Sequence, residues 1–278
     1  NKLITINVKN RDDNICHMNS RALYIYFLGS SGFPYGYANI ERQKLISKGL
    51  VNAGAQVTVI SRKGVHIEKE YPNLKDRGIH EGVKFIYLSG SPYRPNGLII
   101  RNLLKIRSLF REIKFLIIEK RKSQLSAIVF NARNFSSLVY YYILSKLLHV
   151  PMAFNYVELN SSMENRTSMR HKLNDYLFEN IGLRMIPIIL PISNYLMDFS
   201  KKKNNRAKYL KIPSLCNFEI FDLNQIKLNE NYILFCGSAT YIETITFVIE
   251  SYVLSNIANT QLYLIINGSI SEMKTVED

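Results

Sequence analysis

Three apolar runs in this chain end in residues that can do chemistry. PMAFNYV is closed by Glu158, a carboxylate able to accept hydrogen bonds from hydroxyls, assist a proton transfer or balance charge; its bland alternative is a capping or loop carboxylate. SAIVF is followed by Asn131 and Arg133. Ligands of open α/β sheets bind beyond the carboxyl ends of strands, so both are site candidates by position. Arg133 suits a phosphate or an acidic group, or serves as an ordinary surface residue. The third run, ALYIYFL, opens into GSSGFPYGY, where Gly29, Gly32 and Gly36 let the backbone turn sharply or approach a ligand closely. This G-x-x-G-x-x-x-G spacing is not the dinucleotide fingerprint, and no lysine follows Gly36 until Lys44, so it is not Walker A either. The glycines therefore either hold an anion at a helix N-terminus or only turn the chain.

Metal chemistry has little support. The five histidines are scattered without an H-x-x-x-H, and Cys16, Cys216 and Cys236 are far apart without a C-x-x-C, which argues against zinc and against a disulfide framework. The cysteines suit a reducing compartment, with Cys236 expected to be a buried strand residue.

The elements that must carry these residues follow from periodicity. Ala22–Leu28 is too short for a helix and reads as a strand buried on both faces. Ile46, Leu50 and Ala53 mark a helix from Ala38 that Gly54 stops, and Gln56–Ile60 is the next strand. Together they make a βαβ unit. A polar connection then runs through Gly82, and further strands are expected over 83–88, 126–130, 151–157, 186–192 and 207–212. Helices are expected over 98–122, 135–149, 171–185 and 194–203, the last capped by Ser193. Strand, glycine, helix and strand recur over 232–266, with Gly237 and Ser238 at the turn. Recurrence of this unit makes the fold α/β, with two Rossmann-like domains.

With 278 residues the chain exceeds one average domain of about 150 residues. Its net charge of +14 suits an acidic partner: a nucleic acid, a nucleotide sugar or an anionic membrane. No nucleic-acid module signature appears, so nucleic acid is not expected as a partner. No stretch reaches the roughly 18 apolar residues of a membrane span. The helix over 98–122 carries eight basic against two acidic residues, with apolar residues alongside. Such a helix either lies on an anionic membrane or packs on the sheet with a solvated charged face.

GSSGFPYGYANIERQKLISKGLVNAGAQVTVIS resembles the opening of glycosyltransferase family 4, retaining enzymes of the GT-B architecture. FNYVELNS, ILPISNYL, KIPSLCNFEIF and ILFCGSATY resemble later stretches of that family, in order, over residues 22 to 268. The resemblance implies transfer of a sugar from a nucleotide diphosphate sugar to a glycan or lipid-linked acceptor, without a metal or cofactor, in bacterial surface polysaccharide synthesis. It places Gly32, Gly36 and Tyr37, with Gly237 and Ser238 of the second domain, at the donor, and Glu158, Arg133 and Asn131 at the catalytic centre. It implies a cytoplasmic protein, peripheral on the inner membrane face through residues 98–122.

The implied organisation is a tail or upstream extension over 1–21, an acceptor-side domain over 22–212, a linker over 213–230 and the start of a donor domain over 231–278. Two strands and one helix cannot bury both faces of a parallel sheet, so the donor domain is expected to be truncated. Departures stand beside the resemblance. The family's histidine after the fourth strand is absent, and no Arg or Lys follows Gly237 in SATYIET. Its E-x7-E pair would lie beyond Asp278. The missing histidine, arginine and lysine support an alternative, a noncatalytic binding or assembly subunit on the same fold.

Overall fold

A computed structural model describes residues 22–163, 166–218, 231–268 and 273–274. The expectations for 1–21, for most of the 213–230 connection and for 269–272 and 275–278 lie outside those residues. The chain divides into two compact units, 1–216 and 217–278.

In the first unit, β1 (Tyr24–Leu28) lies at the centre of an eight-stranded sheet. The others are β2 (Gln56–Ser61), β3 (Arg77–His80), β4 (Val83–Tyr87), β5 (Ala127–Phe130), β6 (Met152–Tyr156), β7 (Ile188–Pro191) and β8 (Lys208–Tyr209). Their order is β3-β4-β2-β1-β5-β6-β7-β8, parallel except where β3 pairs antiparallel with β4. The order reverses between β1 and β5, the position at which such sheets open a crevice.

The apolar run of β1 serves two cores at once, because successive side chains of a strand point to opposite faces. Tyr26 and Leu28 join Ile128, Phe130, Leu116, Leu138 and Tyr141 on one face, covered by α2 (Leu98–Arg121) and α3 (Phe135–Leu148). Ile25 and Phe27 join Val57, Val59, Phe33 and Ile40 on the other, beneath α1 (Ala38–Asn52). Leu28 and Phe130 face each other across the β1–β5 register.

Helix α1 departs from the expected stripe. Ile46 and Leu50 are only partly buried, Ala53 is exposed, and the buried positions are Ile40, Arg42, Gln43 and Ser47. Two polar residues go inward because they find work there: Gln43 accepts a hydrogen bond from Ser30 Oγ at 2.8 Å, and the Arg42 guanidinium donates to the carbonyls of Ile212 and Pro213. Gly54 ends the helix as expected, at φ +88°, with Gly54 N–H bonded to Val51 O and Ala55 N–H to Leu50 O, a Schellman closure.

Further along, Ser193 Oγ accepts from Leu196 N–H and caps α6 (Asn194–Lys203). The helix expected over 171–185 begins earlier, as α4 (Met169–Leu177). It passes through a π turn (Phe178–Gly182) into the single turn α5 (Leu183–Met185). The strand expected over 207–212 shrinks to the two residues of β8, and β3, hidden in a polar stretch, had no expectation at all.

The second unit pairs β9 (Asn231–Ser238) in parallel with β10 (Thr260–Asn267) through α7 (Ile242–Ser255). Cys236 is exposed, against expectation, because one strand pair with one helix leaves most side chains of β9 uncovered.

Candidate functional site

A cleft of about 930 Å³ lies across the carboxyl ends of β2, β1, β5 and β6, at the point where the strand order reverses. Its lining includes Gly29, Ser30 and Ser31 after β1, Tyr37–Asn39 at the start of α1, Asn131–Asn134 after β5, and Glu158 after β6. The α1 N-terminus brings unsatisfied N–H groups and the positive end of the helix dipole to the cleft.

Glu158, Arg133 and Asn131 are brought together here. Arg133 Nη1 donates to Glu158 Oε2 at 3.0 Å, with both side chains about half exposed. The Arg133 carbonyl is held by Asn160 Nδ2 at 3.0 Å and Asn174 Nδ2 at 3.2 Å, which fixes the loop that carries the guanidinium. Asn131 Oδ1 accepts from Asn155 Nδ2 at 3.3 Å. Arg166, also in the lining, is paired with Asp175 at 2.8 Å. Although burial pushes Asp175 upward, hydrogen bonds from Arg166 and Asn174 bring its carboxyl below the usual value.

The glycine loop divides. Tyr37 lines the cleft, but Gly32 and Gly36 do not. Phe33 is buried beneath α1 and its carbonyl accepts from Tyr87 Oη at 2.7 Å, so Gly32 follows it into the interior. Gly36 is exposed and has no left-handed φ; a Cβ there would meet Ile40 Cγ1 at 2.7 Å. Gly237 and Ser238 belong to the second unit, where Ser238 Oγ accepts from Thr240 N–H at the turn after β9.

Arg62 and Lys63, directly after β2, also line the cleft, as does Lys105 of α2. The rule that singled out Asn131 and Arg133 applies equally to the end of β2. Arg62 lies with its guanidinium carbon 5.5 Å from the ring centres of both Tyr140 and Tyr141, a cation–π arrangement. Its Nε is 3.8 Å from Oε2 of Glu112, a fully buried residue of α2. Tyr140 Oη donates to that same oxygen at 3.0 Å, whereas Glu112 Oε1 and Tyr141 Oη have no hydrogen-bond partner among the described residues. Burial pushes the Glu112 carboxyl up to about 7, with Arg62 and the hydrogen bond from Tyr140 pulling the other way. Among the described residues no cluster of His, Cys, Asp and Glu could hold a metal ion.

No protein-family model matches the chain, and no curated protein matches it in sequence. Solved structures do resemble it. Phytolacca americana UGT2, complexed with UDP-2-fluoroglucose and pterostilbene, aligns over 89% of this chain and 72% of its own, at 13% identity and a TM-score of 0.52. A UGT transferase from Siraitia grosvenorii in complex with UDP covers 91% and 74%, at 12% identity and a TM-score of 0.45. Anabaena Alr3699/HepE in complex with UDP covers 91% and 72%, at 12% identity and 0.44. The likeness to UGT2 is one of fold: the chain has the mixed α/β, parallel-sheet architecture of GT-B glycosyltransferases.

Proposed function

We propose that this chain is a glycosyltransferase moving a sugar from a nucleotide diphosphate sugar to a glycan or lipid-linked acceptor, with retention, in bacterial surface polysaccharide synthesis. The observation that carries this reading is the cleft at the strand-order reversal. It joins the α1 N-terminus to the Arg133–Glu158 pair within a fold shared with a sugar-nucleotide complex. In the reaction the bond from the sugar carbon to the diphosphate breaks, an acceptor oxygen takes its place, and the hydroxyl proton leaves with the departing phosphate. Glu158 orients the acceptor hydroxyl, while Arg133 and Asn131 hold the sugar. Catalysis is mainly electrostatic, with the leaving phosphates neutralised by loop amides and basic side chains rather than by a metal. The retaining family 4 assignment and the hexosyl class rest on the sequence resemblance.

A panel of UDP- and GDP-sugars, assayed for nucleotide diphosphate release, tests this. Release from at least one donor is expected, and Glu158→Gln should lower its rate by roughly a hundredfold while leaving donor affinity unchanged. Failure of every donor to bind overturns the proposal. Binding without turnover favours the second reading, a noncatalytic subunit, which the absence of Lys and Arg from 231–268 supports.

Residues 98–122 are proposed to hold the protein at the inner membrane face. Among the described residues no helix is long and apolar enough to cross a membrane. The first half of α2 nevertheless exposes Leu98, Ile99, Leu103, Ile106 and Phe110 beside Arg101, Lys105 and Arg107. Only Ser108, Glu112 and Leu116 of this helix are fully buried. Arg111 is engaged with the Leu88 carbonyl, so the informative variant is Arg107→Gln with Lys114→Gln. It should weaken co-sedimentation with anionic vesicles roughly tenfold, as should added salt. Unchanged binding leaves α2 a scaffold.

A further inference from the structure

Residues 231–268 contain no lysine or arginine, so the turn after β9 offers a phosphate no cation of its own. The first unit is different. Along the cleft, Arg133 is paired with Glu158 and Arg166 with Asp175, both toward the β5–β6 end. Arg62, Lys63 and Lys105 line the β2 end, and Glu158 is the one carboxylate among the described lining residues. A neighbouring cavity of about 320 Å³ shares Lys63 and Lys105 and adds Arg94 and Arg101, with no acidic residue among its described lining. Desolvation pushes the Lys63 ammonium below the ordinary lysine value, and Lys105, Arg62 and Arg94 add to the effect. Three cations thus converge on one wall with no carboxylate at the surface.

Arg62 is also held in place. A flexible surface arginine loses rotamer freedom when it binds, but this one already lies against two tyrosine rings and approaches a buried carboxylate through Nε. Among the described residues its terminal NH₂ groups make no hydrogen bond. Burying Glu112 with one oxygen unpaired is unfavourable in itself, so it is not explained by stability. It is explained if the carboxylate fixes the guanidinium.

We propose that Arg62, Lys63 and Lys105 form a phosphate-binding subsite at the β2 end of the cleft, with Glu112 and the Tyr140–Tyr141 pair as positioning residues that hold Arg62 there. The ligand class is a phosphate monoester or diphosphate, met by a guanidinium fork and two ammonium charges. Two sources share this chemistry, the diphosphate of a nucleotide donor and a phosphorylated acceptor. The subsite stands whether or not sugar transfer is the reaction.

Calorimetric titration of the full chain with UDP and, separately, with glycerol 3-phosphate tests it. At least one probe should bind, and Arg62→Gln should weaken that binding roughly tenfold. Lys63→Gln with Lys105→Gln should weaken it comparably; both residues are exposed, so this loss does not come from misfolding. Lys172→Gln, which removes the same charge outside the cleft, should change nothing. If Glu112 acts through Arg62, Glu112→Gln should weaken binding less than Arg62→Gln, and the double variant should be no worse than Arg62→Gln alone. A loss confined to UDP identifies the donor as the source, and one confined to glycerol 3-phosphate the acceptor. Absence of binding by either probe overturns the proposal, as does wild-type affinity in the Lys63→Gln, Lys105→Gln variant.

Discussion

Raising the pH from about 5 to about 8 should lower the stability of the native chain by about 2.5 kcal/mol more than that of Glu112→Gln. The cause is the buried carboxyl of α2, pushed from its ordinary 4.5 to about 7. Well below 4.5 the group is protonated in both the folded and the unfolded chain and contributes no pH dependence. As pH rises toward 7 the unfolded chain ionises freely while the folded one resists, so stability falls. Above about 7 both forms are ionised and the penalty levels off, near 3 kcal/mol in all. The groups facing Glu112 are Arg62 from the end of β2 and Tyr140 and Tyr141 from α3; both tyrosines are themselves pushed further up by burial, so neither ionises in this window. Asp175 works in the opposite sense. Its lowered value makes a contribution that is lost only as pH falls through the acid range. Urea unfolding of both proteins at the two pH values gives the difference directly. Parallel pH dependences would mean that the Glu112 carboxyl is not ionised against burial.

The central βαβ unit was legible because two independent signals agreed there. An apolar run flanked by Gly29 marked β1, and Gly54 marked the end of α1 through the positive φ that its closure requires. The inward face of α1 was not legible. Gln43 and Ser47 look like solvent residues in the sequence, and what buries Gln43 is a partner, Ser30, thirteen positions away. β3 escaped for a related reason. RGIH has one exposed apolar residue, Ile79, and becomes a strand because the edge of β4 supplies its hydrogen bonds. Propensity yields to tertiary context at such an edge.

The site was legible where position alone decides and illegible where packing decides. Asn131, Arg133 and Glu158 follow strands, and parallel strands deliver their ends to one rim. Gly32 and Gly36 share a loop with residues that do reach the rim, but the insertion of Phe33 under α1 takes that part of the loop elsewhere. Glu112 counted only as one of two acidic residues in a basic helix. Its burial against Arg62, Tyr140 and Tyr141 joins three elements that are far apart in the chain, and no local pattern announces that meeting.

Gly29→Ala should be the most damaging glycine-to-alanine substitution in the loop after β1, lowering stability by about 3 kcal/mol. Two effects add at this position. The residue sits at φ +86°, where an L side chain is strained, and its Cβ would stand 2.7 Å from the Asn131 carbonyl oxygen and 3.3 Å from Tyr141 Cε2. The carbonyl cannot easily yield, because Asn131 N–H donates to Leu28 O at 2.9 Å and so continues the β1–β5 register. Other glycines separate the two effects. Gly54 has φ +88° with nothing within 4 Å of the added atom, so Gly54→Ala should cost about 1 kcal/mol, from backbone strain alone. Gly36 needs no left-handed φ, but its Cβ would press on the buried Ile40, so Gly36→Ala should cost about 1–2 kcal/mol, from crowding alone. Urea unfolding of the three variants ranks them. Equal losses at Gly29 and Gly54 would show that Asn131 moves aside without penalty, and a larger loss at Gly36 than at Gly29 would remove the clash across the strand-order reversal as the reason glycine is needed there.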